Sequence, residues 1–229
     1  MTLIKSISGV RGIIYNDDSK GLSSKEIIKC VTQFVSSICT NNNCNTFRMV
    51  VGRDGRASGG RILNLITDLL VSYGIHVLDL DLTTTPSVQL AIISEKCLGG
   101  IMISASHNPI NWNGLKLLNK SGEFLSKKEG LEVFDFEPKL LKNIINKGLV
   151  SKLDYKNKHI KSILDLPDVN VDAIKSRNFK IVVDGINSSG SIFVPFLLSK
   201  LGVDVIKINC IPNGNFAHEP EPLPENLTQ

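Results

Sequence analysis

The chain has 229 residues, 42% of them hydrophobic and 21% charged, the balance of a soluble globular protein with room for one large or two ordinary domains. A formal charge of +4, with no run of five or six like charges, argues against a nucleic-acid-binding tail and a basic membrane-surface helix and favours a small anionic partner. The opening Met1-Thr2-Leu3-Ile4-Lys5-Ser6-Ile7-Ser8 lacks a signal-peptide core, and no run approaches the roughly 18 apolar residues of a membrane span, so a cytoplasmic location is expected.

The first clear pattern begins at Phe47. Residues 47–51 read as an apolar strand and 52–59, Gly52-Arg53-Asp54-Gly55-Arg56-Ala57-Ser58-Gly59, as a glycine-rich turn. An amphipathic helix is predicted over 60–73, where Ile62, Leu65, Ile66, Leu69 and Leu70 recur three and four residues apart. Gly74 supplies a left-handed C-cap, and 75–82 alternates as a second strand. Residues 83–87 cap a helix over 88–96, and 99–103 form a short buried strand that runs into a polar loop. A strand returns at 115–118, Lys120-Ser121-Gly122 turns, and Ser126 with Glu129 makes a capping box that opens another helix.

From Glu137 to Lys158 the chain becomes rich in lysine and asparagine, which places a domain boundary near residue 150. Residues 1–150 are expected to form one α/β domain and 151–229 an incomplete second one. Helices are predicted over 157–164 and 171–176. The order of residues 47–82 then recurs as a strand over 179–183, a turn over 184–190, a helix through Leu201, and a strand over 203–209. Both copies carry Val-Val before the turn, Ser-Gly at its end and a glycine before the second strand, which marks an internal β-turn-α-β repeat. Pro220-Glu221-Pro222-Leu223-Pro224-Glu225 reads as a loop before a new helix start, so the chain is expected to have been cut there.

The loop after residue 103 carries the chemistry. Ser104, Ser106, His107, Asn108, Pro109 and Asn113-Gly114 are turn formers, so Ser106 is expected at the carboxyl end of a strand, where open α/β sheets bind ligands. A hydroxyl there can be a covalent phosphoryl or acyl carrier, and Lys116 can neutralise a phosphate. The alternative is an ordinary turn serine. A serine hydrolase is disfavoured because G-x-S-x-G is missing. Arg11 lies between Gly9 and Gly12, where the backbone can bend and a guanidinium can fork onto a phosphate; a solvated surface arginine fits the spacing equally. Gly52-Arg53-Asp54-Gly55-Arg56 lacks the G-K-[ST] of a P-loop, so Arg53 and Arg56 are read as ion-pair formers around the site.

Cysteines 30, 39, 44, 97 and 210 form no C-x-x-C pair and are read as reduced structural thiols. His76 and His159 are read as surface or edge positions, and His218 as part of the terminal loop; none has metal-ligand company. Trp112 is read as packing the serine loop down.

Taken together, these motifs resemble the α-D-phosphohexomutases, the family of phosphoglucosamine mutases, phosphomannomutases and phosphoglucomutases. Gly9-Val10-Arg11-Gly12 resembles its G-[IV]-R-G and Val51-Gly52-Arg53-Asp54-Gly55-Arg56 its V-G-R-D-x-R. Ser104-Ala105-Ser106-His107-Asn108-Pro109 resembles its T-[AG]-S-H-N-P phosphoserine loop, with serine in place of threonine at 104, and Asn113-Gly114-Leu115-Lys116 the N-G-[FLI]-K that follows. The stretches from Val183 to Cys210 and from Pro222 to Leu227 are similar to the opening half of the family's second domain.

The resemblance implies a three-layer α/β/α domain with a mixed sheet, followed by the first part of a second similar α/β domain. It implies that Ser106 carries a phosphoryl group, that Lys116 and Arg11 stabilise charge on that group, and that His107 shapes the loop and contacts phosphate. Arg53, Arg56, Asn108 and Ser104 are expected to bind phosphate or support the site. The implied substrates are a phosphosugar and a sugar 1,6-bisphosphate. The implied cofactor is Mg²⁺, held by an oxygen of the phosphorylated Ser106. The family's D-G-D-[GA]-D-R metal loop would follow Gln229, so the remaining ligands are expected beyond it, and the chain alone is expected to bind Mg²⁺ poorly and not to turn over. Lys5-Ser6-Ile7-Ser8-Gly9-Val10-Arg11-Gly12 looks most like phosphoglucosamine mutases. Phosphomannomutase or phosphoglucomutase is the enzymatic alternative, and a non-catalytic sugar-phosphate-binding module the alternative of another class.

Overall fold

A computed structural model of the chain describes residues 3–6, 9–40, 47–135 and 147–228. Ile7, Ser8, Cys44, the 136–146 part of the lysine- and asparagine-rich stretch, and Gln229 lie outside the described residues. The chain opens with strands β1 (Leu3–Ser6) and β2 (Gly9–Ile13), helix α1 (Ser24–Thr40), β3 (Arg48–Arg53), α2 (Gly59–Ser72) and β4 (His76–Leu82). Then come α3 (Thr85–Ser94), β5 (Gly99–Ile103), β6 (Trp112–Leu118), α4 (Lys127–Phe134) and β7 (Val150–Lys152). The rest is α5 (Lys156–Leu164), α6 (Val171–Lys175), β8 (Lys180–Asp184), α7 (Gly190–Lys200), β9 (Asp204–Ile208) and a 3₁₀ turn at Pro224–Asn226.

Successive strand residues point to opposite faces, and that alternation divides the core in two. Met49, Val51, Val77, Ile101 and Ile103 face one side, where Phe34 of α1, Ile66 of α2 and Val133 of α4 cover them. Val50, Leu78 and Met102 face the other, beneath Val88, Ala91 and Ile92 of α3. Strands buried on both faces read as continuous apolar runs, which is why Met49-Val50-Val51 and Ile101-Met102-Ile103 have no polar alternation. The seven strands run in the order β1-β2-β6-β5-β3-β4-β7. Pairing is antiparallel from β1 through β5 and parallel from β5 through β7. The result is the expected mixed sheet between helical layers.

The internal repeat is real in three dimensions. β3 and β4 are parallel neighbours joined by α2, and β8 and β9 are parallel neighbours joined by α7. Gly74 and Gly202 take the matching left-handed φ of 72° before the second strand of each copy. The Ser126 capping box is present with both of its hydrogen bonds. β7 joins the first sheet beside β4, so residue 150 is the first of a strand of that sheet.

Several boundaries differ from the sequence reading. β3 continues through Gly52 and Arg53, because both pair with β5, and the glycine-rich turn starts at Asp54. Trp112, Asn113 and Gly114 are not loop residues. They pair with Ile13, Gly12 and Arg11 and extend β6, which overrides the turn preference of Asn-Gly. Gly9-Val10-Arg11-Gly12 is likewise strand β2 rather than a bend. α3 starts at Thr85, because the Thr84 hydroxyl accepts from the Ser87 amide and caps it.

His159 is half-buried at the contact between α5, α3 and α7, not at an edge: its Nδ1 lies 2.7 Å from Ser87 Oγ and its ring 6.0 Å from that of Phe193. His76 Nδ1 accepts from the Leu149 amide at 2.9 Å, which ties β4 to the stretch before β7. Cys30, Cys39, Cys97 and Cys210 are free thiols. Burial pushes Cys30 up to about 12 and Cys39 and Cys97 to about 11, which leaves them protonated and unreactive. Among the described residues, no helix is long and apolar enough to cross a membrane.

Phe34 is fully sealed in the larger core. Phe34→Ala is expected to lower the unfolding free energy by about 3–5 kcal/mol, read from urea denaturation. A loss below about 1 kcal/mol would mean that α1 is not integral to the domain.

Candidate active site

β5 delivers its chain to the carboxyl edge of the sheet, and the next residues must turn back into β6. The Ser104 amide donates to Gly114 O at 2.9 Å, the Asn108 amide to Ala105 O at 3.1 Å, and the Trp112 amide to Pro109 O at 2.9 Å. These bonds close two tight turns. At their start Ser106 adopts φ of 57°, the left-handed region that costs a non-glycine residue strain. The strain is held in place because the Ser106 amide donates to Ser104 Oγ at 3.0 Å.

A cavity of about 240 Å³ opens beside this turn, lined among others by Arg11, Ser104, Ser106 and Lys116. Strand pairing explains their convergence. β6 lies between β2 and β5, with Arg11 opposite Gly114, Gly9 opposite Lys116, and Lys116 opposite Met102. Gly9 takes φ of 145° where a side chain would run into the Leu115 carbonyl, so only glycine lets β2 approach β6 at the cavity wall. Arg11 is held in turn, its guanidinium donating to Asn108 Oδ1 at 3.1 Å.

Of the residues singled out from sequence, Arg11, Ser104, Ser106 and Lys116 therefore share one cavity, with Asn108 bonded to its edge. His107 does not line it. Its Nε2 lies 3.4 Å from Glu221 Oε2, turned toward the chain after β9. Arg53 is pulled the other way, its Nε 2.7 Å from Asp81 Oδ1. Arg56 lies beneath the loop, with Nε 3.2 Å from Asp54 Oδ2 and its other donors on loop carbonyls. Trp112 contributes its carbonyl to this arrangement, at 2.9 Å from Arg56.

Sequence reasoning passed over three residues here. Asp54, buried, balances Arg56; its position between two arginines in Gly-Arg-Asp-Gly-Arg was the available signal. Ser188 and Phe216 reach this region from the second half of the chain, and no local pattern marks them, since the contacts span more than a hundred residues. His218 is set by contacts within the second unit, the separate two-stranded sheet of β8 and β9 with α7 and the chain that follows β9. Its two ring nitrogens face Glu219 O at 2.8 Å and Asp184 Oδ2 at 3.0 Å. Two acceptors favour the doubly protonated ring, and the Glu219 carbonyl followed by Asp184 holds His218 above the ordinary histidine value.

No cluster of three or more His, Cys, Asp or Glu side chains able to hold a metal ion occurs among the described residues. An oxygen ligand for Mg²⁺ on the described residues would come from the cavity's serine side chains rather than from a carboxylate cluster.

Burial drives Lys116 below the ordinary lysine value; the Asp54 charge opposes that shift, while Arg11 and Arg56 add to it. A lysine in the same cavity as Ser106 can neutralise a phosphate, and a lowered value makes it a better proton donor. By ¹³C-detected titration, the Lys116 midpoint is expected below those of the exposed lysines. Arg11→Met removes a repelling cation and should move it upward. A Lys116 midpoint equal to that of exposed lysines would remove the basis for this electrostatic account.

Residues 3–136 match the family model described as phosphoglucomutase/phosphomannomutase, alpha/beta/alpha domain I, and residues 157–229 match its domain II. The chain is 39% identical over 186 residues to a phosphoglucomutase/phosphomannomutase of Thermococcus kodakarensis, covering 78% of this chain and 40% of that one. It is 29% identical over 225 residues to a phosphoglucosamine/phosphogalactosamine mutase of Sulfurisphaera tokodaii, covering 96% and 48%. Among solved structures, the fold resembles that of a Thermus thermophilus protein described as a phosphomannomutase, with a TM-score of 0.83 and 21% identity over 100% of this chain and 51% of that one. A phosphoglucomutase/phosphomannomutase family protein of Burkholderia thailandensis aligns at a TM-score of 0.71 and 24% identity, over 93% and 45%. The chain thus spans half or less of the length of these curated relatives. With both domain models matched in order, the chain belongs to the phosphoglucomutase/phosphomannomutase family.

Proposed function

We propose that this chain carries the phosphoryl-transfer serine of a phosphohexomutase that interconverts the 6-phosphate and 1-phosphate of a hexose or hexosamine. The observation that carries the reading is Ser106, held at φ of 57° beyond a central strand and opening into a cavity that also holds Arg11 and Lys116. In the charged enzyme the phosphoryl group sits on Ser106 Oγ. A sugar hydroxyl oxygen attacks the phosphorus, the Oγ–P bond breaks as the new O–P bond forms, and the hydroxyl proton ends on Ser106 with Lys116 as relay. The resulting sugar 1,6-bisphosphate turns over in the site and returns its other phosphoryl group to the serine.

Transfer of this kind depends on positioning and on neutralising charge spread over the phosphoryl oxygens. Arg11 supplies a planar fork for two of those oxygens, and the depressed Lys116 supplies a charge that can also exchange a proton. Mg²⁺ belongs to this proposal as a hard cation that favours phosphate oxygen, with phosphorylated Ser106 as the ligand this chain offers. A hexosamine phosphate is the preferred substrate, in keeping with relatives named for glucosamine phosphates in Sulfurisphaera tokodaii and Methanococcus aeolicus.

Incubated with glucose 1,6-bisphosphate and Mg²⁺, the full-length phosphohexomutase that carries this chain is expected to gain one phosphoryl group, read by intact mass and mapped by peptide sequencing to Ser106. Ser106→Ala should gain none and lose mutase turnover. Phosphate found on another residue, or turnover retained in that variant, would sink the proposal. Saturable binding of the bisphosphate without transfer would instead favour a binding module.

A further inference from the structure

Arg56 has a side chain with 0% exposure, a rare setting for a permanent cation. A guanidinium has five N–H donors in one plane, and each of the five has an acceptor here. Nε donates to Asp54 Oδ2 at 3.2 Å. One terminal nitrogen donates to Pro109 O at 2.6 Å and Trp112 O at 2.9 Å, and the other to Ser106 O at 2.9 Å and Asn108 O at 2.7 Å. The whole loop from Ser106 to Trp112 is thus wrapped around one side chain. Both peptide groups of Ser106 are pinned, its amide by Ser104 and its carbonyl by Arg56.

The second unit completes this arrangement. The Phe216 ring lies 5.0 Å from the Arg56 guanidinium carbon, and the Gly55 amide donates to Ser188 Oγ at 2.9 Å. Gly214, at φ of 76°, packs so closely on the Gly55 carbonyl that any side chain would collide with it. Ser188 and Phe216 belong to one rigid piece, because Asn187 binds the chain after β9 four times. Its amide donates to Asn209 O at 2.6 Å and its carbonyl accepts from Gly214 at 2.9 Å. Its side chain donates to Asn215 O at 2.8 Å and accepts from the Ile211 amide at 3.0 Å. Ile186 and Asn187 both hold positive φ, 46° and 54°, to make this piece, a strain that a branched residue keeps only when its surroundings enforce it.

We propose that Arg56 is the positioning residue of the serine loop, and that the second unit, through Phe216 and Ser188, locks it, so that Ser106 is held in register only while the two units are docked. The inference rests on the reading of Ser106 as phosphoryl carrier for its functional meaning, but the lock is a property of the loop itself. Lysine cannot substitute. It has three donors around one tetrahedral centre and cannot reach four carbonyls and a carboxylate in one plane.

The test compares Arg56→Lys, Arg56→Ala and Phe216→Ala with the unaltered chain by amide hydrogen exchange. In Arg56→Lys and Phe216→Ala, protection of residues 106–112 should fall by about tenfold or more while that of α2 and β5 is retained. Millimolar guanidinium chloride should restore it in Arg56→Ala, whereas equal sodium chloride should not. Loop protection unchanged in Arg56→Lys, or lost equally across α2 and β5, would overturn the positioning role and leave Arg56 a general stabiliser. An unchanged loop in Phe216→Ala would overturn the lock between units. In the phosphorylation assay, Arg56→Lys should slow transfer to Ser106 by about a hundredfold at saturating bisphosphate, with half-saturation shifted less than about twofold. A wild-type Ser106 that takes no phosphoryl group would remove the carrier reading and leave the exchange data to decide the lock.

Discussion

Everything at the site depends on where β5 ends. That strand is paired on both edges, parallel to β3 and antiparallel to β6, and each of its residues is buried. It has no freedom to slide, since a one-residue slip would exchange Ile101 and Ile103 with Met102 between two differently shaped cores. Its carboxyl end is therefore a fixed point. The register that buries three apolar side chains also sets the height at which Ser104 and Ser106 leave the sheet, and β6 then brings Lys116 opposite Met102.

A fixed point for the backbone does not by itself orient a hydroxyl, and polar contacts supply that second level. Arg11, Lys116 and Arg56 bring three cations into a small region where Asp54 is the buried balancing carboxylate. Burial and the neighbouring Arg11 and Arg56 charges both hold Lys116 below the ordinary lysine value, and an anion placed among these cations would relieve that crowding. Burial lowers the Arg56 value, and its bonds to Asp54 and to backbone carbonyls offset part of that penalty. That same bonding couples a fold-level ion pair to the conformation of the loop.

Much of this architecture is legible in the residues. Apolar runs without alternation mark β3 and β5 as doubly buried, Ile62, Ile66 and Leu70 mark the inner face of α2, and the turn residues from Ser104 to Pro109 mark the loop. Two lapses have different causes. α1 was available to the same periodicity argument, through Ile27, Val31, Phe34 and Val35. Trp112-Asn113-Gly114 was not, because Asn-Gly favours a turn locally and only pairing with β2 forces it straight. Gly9 to Gly12 is a similar case, a pattern that permits bending but is held extended by neighbours on both sides.

The sequence by itself determined the repeated strand-turn-helix-strand units, the two-sided core and the position of a serine at the end of a buried strand. These follow from periodicity, turn chemistry and motif order, which act over a few residues. Only the tertiary structure decided that Arg11 and Lys116 share a cavity with that serine, that His107 turns toward Glu221, and that Arg56 is enclosed by loop carbonyls beneath Phe216. The physical reason is separation along the chain. Arg11 and Asn108 meet across 97 residues and Gly55 and Ser188 across 133, and contacts of that span are set by strand order and packing, which no local pattern encodes.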